Sequence, residues 1–159
     1  MRCEALTLKR REVSMSDELP LLFWRDSPSD RKYQLSGNLI DESSHREWFR
    51  KRITIKDANP FWAYEQNDMT IGFFRAEINK VSPKEFQVSI LVSPNYRGKG
   101  LGYEILADAI ESMRHLFPKH ALLATIHREN IPSLTMFLRA GFLLQSTVIN
   151  DFLQFRLTL

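Results

Sequence analysis

The stretch Asn95-Tyr96-Arg97-Gly98-Lys99-Gly100-Leu101-Gly102 brings three glycines together with an arginine and a lysine. Glycine lets backbone N–H groups converge on one point, and the two cations add positive charge, so the combination suits an anion. The stretch follows an alternating apolar run, Phe86, Val88, Ile90 and Val92, that reads as a strand, and it opens a long amphipathic helix. A helix N-terminus behind a glycine turn is a site for phosphate or pyrophosphate. Two commoner phosphate loops fail on spacing. In a dinucleotide fingerprint the third glycine falls on Tyr103, and no G-x-x-x-x-G-K-[ST] string exists. The bland alternative is a plain glycine-rich turn.

A second group is Asn130-Ile131-Pro132-Ser133, followed by Leu134, Phe137 and Leu138 and ended by Gly141-Phe142. Asn130 suits an N-cap, Pro132 a first helical turn and Gly141 the position just past a helix end. By themselves these residues describe any short helix.

Taken in order, the two groups resemble the GNAT N-acetyltransferase superfamily. R-x-x-G-x-G, from Arg97 through Gly100 to Gly102, is similar to its acyl-CoA pyrophosphate loop. N-x-x-S, a short helix and G-F are similar to its second CoA-binding motif. The resemblance covers roughly residues 6 to 157 and is strongest from 86 to 142. It implies an α/β fold with a mixed, largely antiparallel sheet, helices on both faces, and a splay beside the glycine loop. It also implies acetyl-CoA as cosubstrate and direct attack by a primary amine, with no covalent enzyme intermediate and no metal.

Carried over residue by residue, Leu91 and Val92 offer backbone groups to the pantetheine arm, and an N–H near Val92 polarises the thioester carbonyl. Arg97, Gly98, Lys99, Gly100, Leu101 and Gly102 hold the pyrophosphate, although Lys99 reads equally as a solvated helix-start lysine. Asn130 bonds the pantetheine, caps its helix, or does both. Many members place a tyrosine seven residues after this asparagine to protonate the departing thiolate. Here that position is Phe137, a cofactor contact with no proton to give. Ser133 is the substitute acid, with solvent as the alternative. A strand glutamate is the usual base, but Gln87 cannot take a proton. Glu77 and His45 remain as candidate bases, each also readable as a structural or solvated side chain.

The acceptor is read from the first half of the chain. Phe23-Trp24-Arg25-Asp26 followed by His45-Arg46-Glu47-Trp48-Phe49 is similar to nucleotide-sugar N-acetyltransferases, in particular the pseudaminic-acid branch that acts on a UDP-linked 4-amino sugar. That resemblance puts Trp24, Arg25, His45 and Trp48 at the acceptor. The same frame occurs in relatives that acetylate ribosomal-protein N-termini and polyamines. Residues 25 to 52 carry Arg25, Arg31, Lys32, Arg46, Arg50, Lys51 and Arg52 among aromatics. Guanidinium suits phosphate and aromatic faces stack on bases and sugars, which favours an anionic acceptor over a polycation. The alternative is a solvated basic face over a core. A non-catalytic CoA-binding module also stays open, because the tyrosine and the strand glutamate are missing.

The remaining composition fits one globular acetyltransferase domain over residues 1–159. Hydrophobic residues make up 43% and charged residues 26% of the 159, which is ordinary for a folded domain. The net charge of +3 is mild, and basic residues are scattered among acids, so a small anion explains it better than nucleic acid does. No apolar run reaches membrane-spanning length, and Met1 to Ala5 lacks a signal-peptide core. Cys3 is the single cysteine, incidental near a terminus, which fits a reducing cytoplasm. A monomer and a homodimer both stay open as the assembly.

The elements that must position these groups follow from periodicity. Strands are predicted at 6–13, 61–65, 70–78, 86–92 and 122–126, with a closing hairpin over 142–148 and 152–157. Asp17 is expected to cap a helix to about Trp24, and residues 26 to 30 to form a loop. Ser44 and Glu47 read as a capping box for a helix to about Ile53, with Trp48, Phe49 and Ile53 buried. Leu101, Ile105, Ala109, Met113 and Leu116 mark the buried face of the long helix, ended by Pro118.

Overall fold

A computed structural model describes residues 8–55 and 59–159. Cys3 and the start of the expected first strand lie outside the described residues. The chain runs β1 (Lys9–Glu12), a 3-10 turn (Met15–Asp17), α1 (Glu18–Arg25), α2 (Pro28–Arg31), α3 (Glu42–Thr54), β2 (Phe61–Gln66), β3 (Met69–Ile78) and β4 (Glu85–Val92). A second 3-10 turn (Pro94–Tyr96) leads to α4 (Leu101–Leu116), β5 (Ala121–His127), α5 (Ile131–Arg139), β6 (Leu143–Ile149) and β7 (Phe152–Thr158). The strands form one seven-stranded sheet in the order β1-β2-β3-β4-β5-β7-β6. Every neighbouring pair is antiparallel except β4 with β5.

The alternation of β3 and β4 sorts side chains to two faces. Phe74, Ala76, Phe86 and Val88 pack with Leu101, Ile105, Leu106, Ala109, Ile110 and Met113 of α4. Phe73 and Leu91 point the other way, against Leu21 and Trp24 of α1 and Phe49 of α3. Each fully buried aliphatic or aromatic side chain stabilises the fold by roughly 1.5–3 kcal/mol, so both cores matter. Leu116 breaks the expected stripe: it is exposed, while Leu106 and Ile110 join the buried face.

The caps differ from the sequence reading in three places. Asp17 sits at the start of α1, but its buried carboxylate does not cap that helix. It accepts Arg11 Nη1 and Nη2 at 2.6 and 2.9 Å and the Ser14 backbone N–H at 2.8 Å, tying β1 to the following turn. Residues 28 to 31 form the short helix α2 rather than a loop, since Pro28 falls at a favoured first-turn position. For α3 the cap is Asp41, whose carboxylate accepts from Ser44 N at 2.7 Å, so the helix starts before the predicted Ser44–Glu47 box. Hydrogen bonds from Ser44, and then from Ser43, hold the Asp41 carboxyl down to about 2.

The sheet opens between its parallel strands. Pairing of β4 with β5 runs from Glu85 with Ala121 to Gln87 with Leu123 and stops there. Gln87 Nε2 spans the gap to Thr125 Oγ1 at 3.3 Å, at the base of the opening. Odd-numbered residues of β4 turn their backbone groups to β3: Asn79 N–H donates to Glu85 O, and Ser93 N–H just past the strand donates to Ile71 O. The even series turns to β5, as shown where Ala121 N–H donates to Lys84 O. The pleat therefore directs the backbone groups of Ile90 and Val92 into the splay, beyond the last paired residue. No helix among the described residues is long and apolar enough to cross a membrane.

Candidate active site

The glycine loop follows β4 and α5 follows β5, so parallel strands deliver both to the same end of the splay. Gly98 and Gly100 have φ of +72° and +79°, the left-handed region that side chains disfavour. A Cβ at either would meet nothing within 4 Å, so these two glycines are required by backbone conformation and leave open space in front of the loop. Gly102 is different: a Cβ there would lie 3.0 Å from Met136 Sδ, so it serves the approach of α4 to α5. Gly100 caps α4 without any side-chain bond, leaving the helix N-terminus to its backbone donors. Leu101 is buried and anchors the first turn.

The two loop cations behave differently. Lys99 Nζ donates to Asn95 O at 3.1 Å and stays exposed. Arg97 turns away from the loop face: Nε donates to Val92 O at 3.0 Å and Nη2 lies 2.6 Å from Asp30 Oδ2 of α2.

A cleft of about 670 Å³ runs through the splay. It is lined by Arg25, Trp48, Arg75 and Leu91 from α1, α3, β3 and β4, and by Asn130, Ser133 and Phe137 from α5 and its cap. Leu91 contributes its side chain only. The expectation that its backbone serves the splay is corrected by the pleat, which turns it to β3 and gives that role to Ile90 beside Val92. Asn130 Oδ1 accepts from Ser133 N at 3.3 Å, so its carbonyl is occupied in capping. Ser133 Oγ has no hydrogen-bond partner among the described residues and belongs to the cleft wall. Phe137 is 3% exposed, with its ring edge-on to Phe142 at 4.9 Å.

Four other predicted roles separate. Trp48 and Arg25 line the cleft, whereas Trp24 packs on Phe73 at 5.3 Å and His45 lies behind Trp48. His45 is buried, its Nε2 3.2 Å from Glu18 O, and burial holds its pKa below the ordinary 6.5. That is the setting of a core histidine, away from the acceptor. Glu77 pairs with Arg75 at 3.7 Å and is not among the residues lining the cleft. Two basic residues of α3 are also committed elsewhere, since Arg46 and Arg50 lie 2.9 and 3.9 Å from the carboxylate of Glu18.

Tyr33, one of the aromatics among the basic residues of 25 to 52, also lines the cleft. Sequence reasoning missed Arg75 and His127, both in the cleft lining. For Arg75 a signal exists, because a lone charge in the apolar run Gly72-Phe73-Phe74-Arg75-Ala76 must face something polar. For His127 there is none: its ring meets that of Tyr33 at 5.6 Å through tertiary contact alone.

A family model described as "Acetyltransferase (GNAT) domain" matches residues 8–143. Among curated proteins none matches the chain by sequence. Solved structures share the fold. A ribosomal-protein-alanine N-acetyltransferase from Brucella melitensis is 22% identical with a TM-score of 0.77, over 95% of this chain and 99% of that one. The Salmonella typhimurium protein yncA, solved with its cofactor acetyl-CoA, is 18% identical with a TM-score of 0.76, over 95% and 93%. A spermidine N-acetyltransferase from Vibrio cholerae, solved with CoA and spermine, is 16% identical with a TM-score of 0.80, over 95% of each.

Proposed function

The chain belongs to the GNAT acetyltransferase family, is an N-acetyltransferase with acetyl-CoA as cosubstrate, and we propose that its acceptor is the 4-amino group of a nucleotide-linked amino sugar. One observation carries the cosubstrate's placement: the backbone groups of Ile90 and Val92 face an opening where β5 no longer pairs, next to the glycine loop. An amide-bearing arm fits there as a strand-like partner, and the open space before Gly98 and Gly100 fits a pyrophosphate.

When bound, acetyl-CoA supplies the acetyl group as an activated thioester. The Val92 N–H then serves as the donor for the oxyanion that develops on the acetyl carbonyl. Ser133 Oγ, free of other hydrogen bonds, donates the proton that the leaving sulfur needs and recovers one, through solvent, from the nitrogen that has formed the amide. Phe137 cannot do so, and its buried ring walls that end of the cleft against water. Support for an anionic acceptor comes from Arg25 and Arg75 in the cleft lining, which repel a polyamine.

The test is thiol release from acetyl-CoA with UDP-linked 4-amino sugars, free amino sugars, spermidine and N-terminal peptides as acceptors. Release with the nucleotide sugar alone is expected. Release only with spermidine or a peptide would overturn the acceptor while leaving the acetyltransferase in place.

A further inference from the structure

Two guanidinium groups converge on one indole in the acceptor wall. Arg25 lies 5.8 Å and Arg75 5.0 Å from the centroid of Trp48, and all three line the cleft. They come from separate elements: Arg25 ends α1, Trp48 lies within α3, and Arg75 lies on β3 opposite Ser89 of β4.

The neighbouring arginines are neutralised within the fold. Arg11 is taken by Asp17 and Glu65, Arg46 by Glu18 and Glu42, and Arg97 by Asp30. Arg25 has no carboxylate partner among the described residues, and Arg75 has only Glu77, at 3.7 Å and itself 42% exposed. Burial, and then the like charge of Arg75, hold the Arg25 guanidinium below its ordinary value; burial does the same to Arg75 against the opposing pull of Glu77. Two like charges partly withdrawn from water with a single, partly exposed counter-charge between them cost stability. An anion entering the cleft offsets that cost, and the forked guanidinium donors match a phosphate or carboxylate.

Position narrows the choice. From Ser89, opposite Arg75, to Val92 is three residues, or roughly 10 Å at ~3.4 Å per residue. The strand position that carries Arg75 is thus set back from the Val92 N–H, which suits an anion separated from the amine by a sugar ring.

We propose that Arg25 and Arg75, set against Trp48, form the anion subsite of the acceptor pocket and hold a phosphate or carboxylate carried at a distance from the amine. This rests on the reading of the chain as an acetyltransferase with a small-molecule acceptor.

The experiment is calorimetry on the full chain saturated with CoA, so that the cosubstrate's own phosphate sites are filled. UDP and glutarate serve as probes without an amine. UDP is expected to bind, with affinity falling at least tenfold in Arg25→Gln and in Arg75→Gln while CoA affinity is unchanged. Unchanged CoA affinity also reports that each variant is folded, and Arg75→Lys, which keeps charge but loses the fork, should recover part of the binding. Glutarate binding lost in the same variants would support the subsite with a carboxylate source instead. If neither probe binds, or either binds equally well in all variants, the subsite is overturned. Failure of the wild-type chain to bind CoA would instead be a failure of the enzyme reading, and the probe titrations without CoA would then decide the subsite alone.

Discussion

Arg97 of the glycine loop reaches across to α2 and sets its Nη2 2.6 Å from Oδ2 of Asp30. The loop's arginine is thus held by a carboxylate of the cleft wall rather than aimed at the space before the glycines.

If phosphates draw Arg97 away, Asp30 competes with them. A partly exposed pair of this kind is worth at most about 1 kcal/mol, or about fivefold in affinity. Asp30→Asn should tighten CoA binding by up to about fivefold in calorimetry, and Arg97→Ala should weaken it. Unchanged or weaker binding in Asp30→Asn would mean that Arg97 stays with α2 when phosphates arrive.

Two glycines should fail for different reasons. Gly100→Ala forces a side chain into φ of +79° with open space around it, a strain of about 1 kcal/mol. Gly72→Ala places a Cβ 2.9 Å from Leu91 O and 2.6 Å from Ile105 Cδ1, and overpacking against backbone costs about 1–3 kcal/mol. Thermal unfolding should show the larger drop for Gly72→Ala. CoA binding, relative to that drop, should suffer more in Gly100→Ala. Equal behaviour on both readouts would contradict this division.

Ser133 and Asn130 are separable. Ser133→Ala keeps the backbone N–H that Asn130 accepts, so the cap survives while the hydroxyl is lost. A fall in kcat of about 10²-fold, the low end for a general acid, is expected with little change in Tm. Asn130→Ala loses the cap and should cost about 1 kcal/mol of stability. A Ser133→Ala enzyme with wild-type kcat would hand the proton's role to solvent.

His45 should leave a pH signature in stability. Burial lowers its folded pKa below 6.5, so as pH falls the unfolded chain takes up the proton first. The stability associated with the neutral buried ring is full above about 6.5 and is lost as pH drops toward the folded value. The Tm advantage of wild type over His45→Gln should therefore shrink between about pH 7 and 5. A constant gap would show that His45 takes up its proton at the same pH in the folded and unfolded chain.

The sequence by itself determined the parts that are local. Period-two apolar residues marked β4, glycines at Gly98 and Gly100 marked a turn that needs left-handed backbone, and Asn130, Pro132 and Gly141 marked the ends of α5, because each depends on residues a few positions apart. Two aligned motifs were enough to read the family and the cosubstrate. Only the tertiary structure decided the rest, since it depends on which strands meet and where they part. The end of β4–β5 pairing at Gln87 and Leu123 turned Ile90, not Leu91, toward the splay. Packing buried His45 and set Trp24 half-buried against Phe73, although the resemblance had made both binding candidates, and it paired Arg46 and Arg50 with Glu18. It brought Arg75 from the middle of a strand beside Arg25 at Trp48, residues 50 positions apart in the chain whose charges meet only when β3 and α1 fold onto the same indole.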